Sequence, residues 1–89
     1  MITIKFSKRY LTREKKFTKY NTARIEEIEH TLKLFLDNPV HPSLNLEKLT
    51  KSGVWSIRLS RGDRIFFIWL GQNTVLLVDI GKQDKYRNY

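Results

Sequence analysis

Apolar positions along the 89-residue chain change their period partway through. Residues 1–6 alternate, which predicts a short strand with Ile2, Ile4 and Phe6 on one face. Ser7 suits the cap of a basic helix over 8–19. A second helix is expected from Asn21 or Thr22, with Glu26 and Glu27 near the positive end of its dipole. In it, Ile25, Ile28, Leu32 and Phe35 recur at helical spacing and form one apolar stripe. Asp37-Asn38-Pro39 stops it. Almost nothing joins the two helices, so an antiparallel hairpin is expected.

The second half reads with the period of strands. LNLEKL (44–49) alternates loosely, as an edge strand would, and Lys51-Ser52-Gly53 is a turn. Trp55, Ile57 and Leu59 then alternate with Ser56, Arg58 and Ser60, a one-sided strand. Arg61-Gly62-Asp63 is a tight connection. Ile65 to Leu70 is apolar throughout, as expected of a central strand covered on both faces. Gly71-Gln72-Asn73 turns the chain, and Val75 to Ile80 is a further apolar strand broken by Asp79. The expected architecture is α+β: an N-terminal strand, an antiparallel helical hairpin, then an antiparallel meander, all in one domain spanning 1–89.

Charge adds a direction. Seventeen Lys and Arg face nine Asp and Glu, for a net charge of +8, which suits a polyanionic partner, nucleic acid first. A basic soluble protein whose charge answers an acidic protein partner is the plainer alternative. Residues 5–20 hold seven basic groups against Glu14 alone, and 48–89 hold eight against Asp63, Asp79 and Asp84; the segment between them is net acidic. With no cysteine there is neither a disulfide staple nor a zinc-thiolate site. No apolar run approaches the ~20 residues that cross a bilayer, and the N-terminus lacks the apolar core of a signal peptide. A cytoplasmic protein with no membrane association is expected. Glycine-rich phosphate loops and metal-ligand spacings are absent, so no cofactor or metal is expected.

Three stretches can carry chemistry. Arg58, Arg61 and Arg64 come at every third position of the best strand pair. Alternation puts Arg58 on the polar face, Arg61 in the turn and Arg64 across the hairpin from Arg58. Neighbouring guanidinium forks suit a phosphate; the alternative is solvated charges, with Arg64 paired to Asp63 or Asp79. The tail GKQDKYRNY (81–89) interleaves Lys82, Lys85 and Arg87 with Tyr86 and Tyr89. Such a segment can hold phosphates while its rings stack on bases, or it is a frayed terminus. In HPSLN (41–45), His41 is either an acid–base group or simply the start of a loop. His30 is placed on the solvent side of the second helix, with no role.

Taken together, His41-Pro42-Ser43-Leu44, VWSIRLSRGDRIFF (54–67) and DIGKQDKYR (79–87) resemble, in order and spacing, the RelE/ParE toxin superfamily of type II toxin–antitoxin modules. The resemblance spans nearly the whole chain. It implies a RelE/ParE-like fold, a cognate antitoxin and a toxin–antitoxin hetero-oligomer. RelE-like members cut mRNA in the ribosomal A site without a metal; ParE-like members share the fold and poison gyrase by binding. On the first route, Arg58 and Arg64 fall on the strand positions that meet transition-state charge, and Lys82 or His41 assists. Tyr86 falls where a tail Tyr stacks on a base or aids proton steps. Lys48, Lys51 and Arg61, with Lys85 and Arg87 of the tail, would hold mRNA or ribosomal RNA backbone. Gln83 departs from the pattern, because the family tail often carries His or Arg there. Gln exchanges no proton near neutral pH. Three accounts follow: a nuclease using other groups, action by binding alone, or a His→Gln change that disarms a toxin. A ribosome-dependent endoribonuclease weakened at Gln83 is the leading expectation, and a gyrase-directed toxin the alternative.

Overall fold

The computed structural model describes residues 1–49 and 52–84. The expected elements fall in the expected order. β1 (Thr3–Phe6) leads into α1 (Lys8–Thr18) and α2 (Thr22–Asp37). A 3-10 turn at Pro42–Leu44 and a two-residue β2 (Glu47–Lys48) precede the meander of β3 (Trp55–Ser60), β4 (Asp63–Trp69) and β5 (Thr74–Lys82). One five-stranded mixed sheet results, in the order β1-β5-β4-β3-β2. Its strand pairs are antiparallel except β1 and β5, which run parallel with Thr3 opposite Thr74 and Phe6 opposite Leu77. The sequence does not show that pairing, because the partners lie some seventy residues apart.

The helices begin and join by local chemistry. Ser7 caps α1 as expected, its hydroxyl accepting from the Tyr10 N–H at 3.0 Å. Residues 19–21 alone connect the helices, with Tyr20 in the left-handed region at φ 63°. Arg24 bridges the joint. Its Nη1 donates to the Phe17 carbonyl at 2.8 Å, one of the acceptors left over in the last turn of α1. The same guanidinium lies 4.2 Å from the centre of the Phe17 ring, a cation–π contact.

The main core lies between the helices and one sheet face. Tyr10, Phe35, Ile57, Ile65, Phe67 and Val75 are fully buried there. The Phe35 ring meets Phe67 edge-on at 5.2 Å and Trp69 at 6.4 Å. The expected stripe of α2 is partly corrected: Ile28 and Phe35 are buried, but Ile25 is exposed and Thr31 takes an inward position. Phe6 is likewise exposed, leaving Ile2 and Ile4 to pack on the core. The opposite sheet face is covered more thinly. There Leu49 and Val54 pack on Phe66 with Ile68 and Val78. Central β4 is therefore apolar on both faces, as its composition predicts. Residues 44–46 do not extend the edge strand; they belong to the 3-10 turn and its exit, so β2 is short. Two bulges re-aim side chains, one between Arg58 and Ser60 and one where Phe66 and Phe67 oppose Asp79 and Leu77.

Candidate functional site

Strand alternation puts residues 64, 66 and 68 on the face of β4 away from the helices, beneath the segment running from Asn45 to Leu49. Arg64 is caught there. It is 4% exposed and tied from two sides. Its Nε donates to Ser56 Oγ at 2.7 Å, and its Nη2 donates to the Asn45 carbonyl at 2.6 Å and to the Ser56 carbonyl at 3.2 Å. Glu47 Oε2 lies 3.8 Å from the same Nη2. Burial lowers the Arg64 pKa first; the Glu47 carboxylate pulls it back up, and the neighbouring Arg58 charge lowers it again. A guanidinium remains charged through such a shift. Three of the bonds use Nε and Nη2, and among the described residues none uses Nη1. The fork is thus held rigid while one donor stays available to an anion.

The opening beside Arg64 is a cleft of about 260 Å3, lined by Glu47, Leu49, Ser56, Arg64 and Gln83. Register accounts for the grouping. Glu47 sits opposite Ser56, which lies one strand away from Arg64, and the Gln83 N–H donates to the Gly62 carbonyl at 2.7 Å. That bond ties the end of β5 to the β3–β4 turn. Gly62 holds φ 86°, a left-handed conformation that an L side chain resists.

The structure separates the three arginines of the expected group. Arg58 is paired opposite Arg64, as expected, but is exposed. Arg58 and exposed Arg61 line a different cavity of about 330 Å3, with His30 and Ser43. Arg64 does not lie on an open face, and its carboxylate neighbour is Glu47 rather than Asp63 or Asp79. Asp63 instead accepts from Ser60 Oγ at 3.1 Å, and the buried Asp79 carboxylate meets Arg9 at 3.5 Å. His41 caps the 3-10 turn. Its Nδ1 accepts from the Ser43 N–H at 3.1 Å and lies 2.6 Å from Ser43 Oγ. That turn ends at Asn45, in the left-handed region at φ 44°, whose carbonyl receives Arg64. The HPSLN stretch therefore reaches the cleft through backbone geometry, and His41 does not line it. Lys48 is exposed on β2, its Nζ 5.9 Å from the Trp55 ring. Lys82 points away from Gln83 into a separate groove. Lys51, Lys85, Tyr86 and Arg87 lie outside the described residues.

Sequence reasoning missed Glu47 and Ser56. Glu47 did leave a signal, being the sole acidic residue between Asp37 and Asp63. Ser56 left none, because a serine on an alternating strand reads as solvated. Among the described residues, no three His, Cys, Asp or Glu side chains gather as metal ligands, and no helix is long and apolar enough to cross a membrane.

No family model matches the sequence, and no curated protein sequence matches it significantly. Solved structures do match the fold. A YoeB/ParE toxin from Agrobacterium tumefaciens superposes with TM-score 0.74 at 13% identity, covering 92% of this chain and 99% of that one. YafQ from E. coli strain BL21(DE3) gives 0.73 at 14% identity, with 94% and 96% covered. A YoeB–YefM complex from Staphylococcus aureus gives 0.71 at 21% identity, with 93% and 98% covered. The chain has the RelE-like toxin fold.

Proposed function

We propose that this protein is the toxin of a type II toxin–antitoxin module and a ribosome-dependent, metal-free mRNA endonuclease, weakened at Gln83. The observation that carries this reading is the cleft in which a buried, pre-oriented Arg64 stands with Glu47 and Gln83. Cleavage of RNA by its own 2′-hydroxyl needs a base, a partner for phosphorane charge and an acid for the leaving oxygen. Glu47, half-exposed at the cleft mouth, takes the 2′-proton. The oxygen attacks the adjacent phosphorus, the P–O5′ bond breaks, and a 2′,3′-cyclic phosphate and a 5′-hydroxyl result. Arg64 holds the negative charge through its available Nη1. Gln83 can donate a hydrogen bond to the departing oxygen but cannot transfer a proton, so water supplies it and the step is slow.

The RelE-like fold and the toxins that share it support the toxin reading, and a YoeB–YefM toxin–antitoxin complex from Staphylococcus aureus supports an antitoxin as partner. The net charge of +8 suits both an acidic antitoxin and ribosomal RNA. The test compares this sequence with Gln83→His in a purified translation system, with mRNA ends mapped by primer extension. Cuts within codons, faster in the His form and dependent on ribosomes, are expected. If both forms are folded and neither cuts, the nuclease reading fails and gyrase inhibition is assayed instead.

A further inference from the structure

Lys82 and Gln83 are consecutive, yet they serve opposite sides of the sheet end. Gln83 lines the Arg64 cleft, whereas Lys82 lines a groove of about 300 Å3 between α1, the start of α2 and the ends of β4 and β5. Arg13, Lys16 and Arg24 line that groove with Lys82. Arg13 and Lys16 are three residues apart on α1 and so share a face. Arg24 is held in place by its bond to the Phe17 carbonyl at 2.8 Å and its stacking at 4.2 Å on the Phe17 ring. Four cations therefore face one carboxylate, Asp63, which is engaged with Ser60. Among the described residues none of the four forms a salt bridge. Like charges gathered this way repel, and an anion in the groove relieves the repulsion.

We infer that this groove binds the phosphodiester backbone of the same RNA strand that enters the Arg64 cleft, the strand crossing the end of β5 between Lys82 and Gln83. The inference deepens the proposed function and rests on its RNA reading. RNA is favoured over an acidic peptide because cations outnumber the groove's apolar side chains, Phe17 and Ile80, by four to two. Ile80 is 2% exposed, and Arg24 covers a face of the Phe17 ring. A docking helix or strand needs apolar pockets beside its charge contacts, whereas backbone phosphates need cations alone.

The experiment is fluorescence anisotropy of a labelled single-stranded RNA, 2′-O-methylated so that it cannot be cut, across a salt series. This protein is compared with Arg13→Gln/Lys16→Gln and with Lys5→Gln/Lys33→Gln, which removes the same charge elsewhere. Losing two phosphate contacts should reduce the log–log salt slope by about 1.4 and weaken binding roughly tenfold at low salt. The control pair should change the slope far less. Circular dichroism and urea midpoints verify that each variant is folded. Equal slopes for the two double variants would overturn the inference, as would no measurable RNA binding. So would unchanged RNA binding with loss of binding to a poly-glutamate peptide, an outcome that assigns the groove to a protein partner. A reduced slope with no mRNA cutting, either by this protein or by its Gln83→His form, leaves the groove standing and sinks the nuclease. Cutting with an unmoved slope does the reverse.

Discussion

Arg64→Lys separates what the guanidinium does for the fold from the part proposed for it in the reaction. Three hydrogen bonds leave Nε and Nη2. At a net value of about 1 kcal/mol each they sum to about 3 kcal/mol. Burying the cation offsets part of that, and the open cleft lets water reach the vacated acceptors. Lysine keeps the charge but presents a point donor that cannot span Ser56 and Asn45 together. A net loss of about 1–2 kcal/mol in urea unfolding is expected for the lysine variant. Catalysis should suffer more than stability. Removing one preorganised donor to transition-state charge typically costs about 100- to 1,000-fold. The lysine variant, made in the Gln83→His background, should therefore cut mRNA about 100-fold more slowly while still folded. Primer extension over time measures the rate, and urea titration followed by circular dichroism measures the stability. A lysine variant that cuts within about threefold of its parent refutes the charge-stabilising role, since threefold is under 1 kcal/mol of barrier. An unchanged urea midpoint refutes the anchoring geometry.

Other outcomes follow from the same structure. Gly62→Ala should cost about 1–2 kcal/mol, read from the urea midpoint, because φ is 86° while a Cβ there meets nothing within 4 Å; the penalty is backbone strain alone. Slower cutting should accompany it, since the Gly62 carbonyl holds Gln83 in place. His41→Ala should lose about 1 kcal/mol as a lost cap and leave the pH–rate profile unshifted; a profile that loses a limb would make His41 an acid or base instead. Phe35→Ala removes a ring with 0% exposure that touches Phe67 and Trp69, and should cost about 3–5 kcal/mol in denaturant unfolding.

Much of this protein was legible from local pattern, since local forces set local structure. Ser7 capped its helix, the alternation of Trp55, Ile57 and Leu59 made a strand, and the unbroken run from Ile65 marked the strand at the sheet centre. The opposition of Arg58 and Arg64 also followed from a tight turn between two strands. Where local pattern misled, a distant segment had intervened. Ile25 belongs to the helical stripe by spacing, yet it is 44% exposed once the helices pack. Arg64 and Ser56 read as solvated strand positions, yet the Asn45–Leu49 segment folds over them and turns an exposed pair into a buried, hydrogen-bonded one.

The sequence by itself determined the element types, the order of helices before the meander, the basic character and the residue kinds available for phosphate chemistry. Each depends on periodicity, capping or composition, which act within a few residues. Tertiary structure alone decided which of those residues meet. It drew β1 into parallel pairing with β5 across the length of the chain. It brought Glu47, Arg64 and Gln83 to one cleft and sent Lys82 to another groove. It also made His41 a cap. Such meetings depend on sheet order and register, and these are settled by burying both faces of β4 at once.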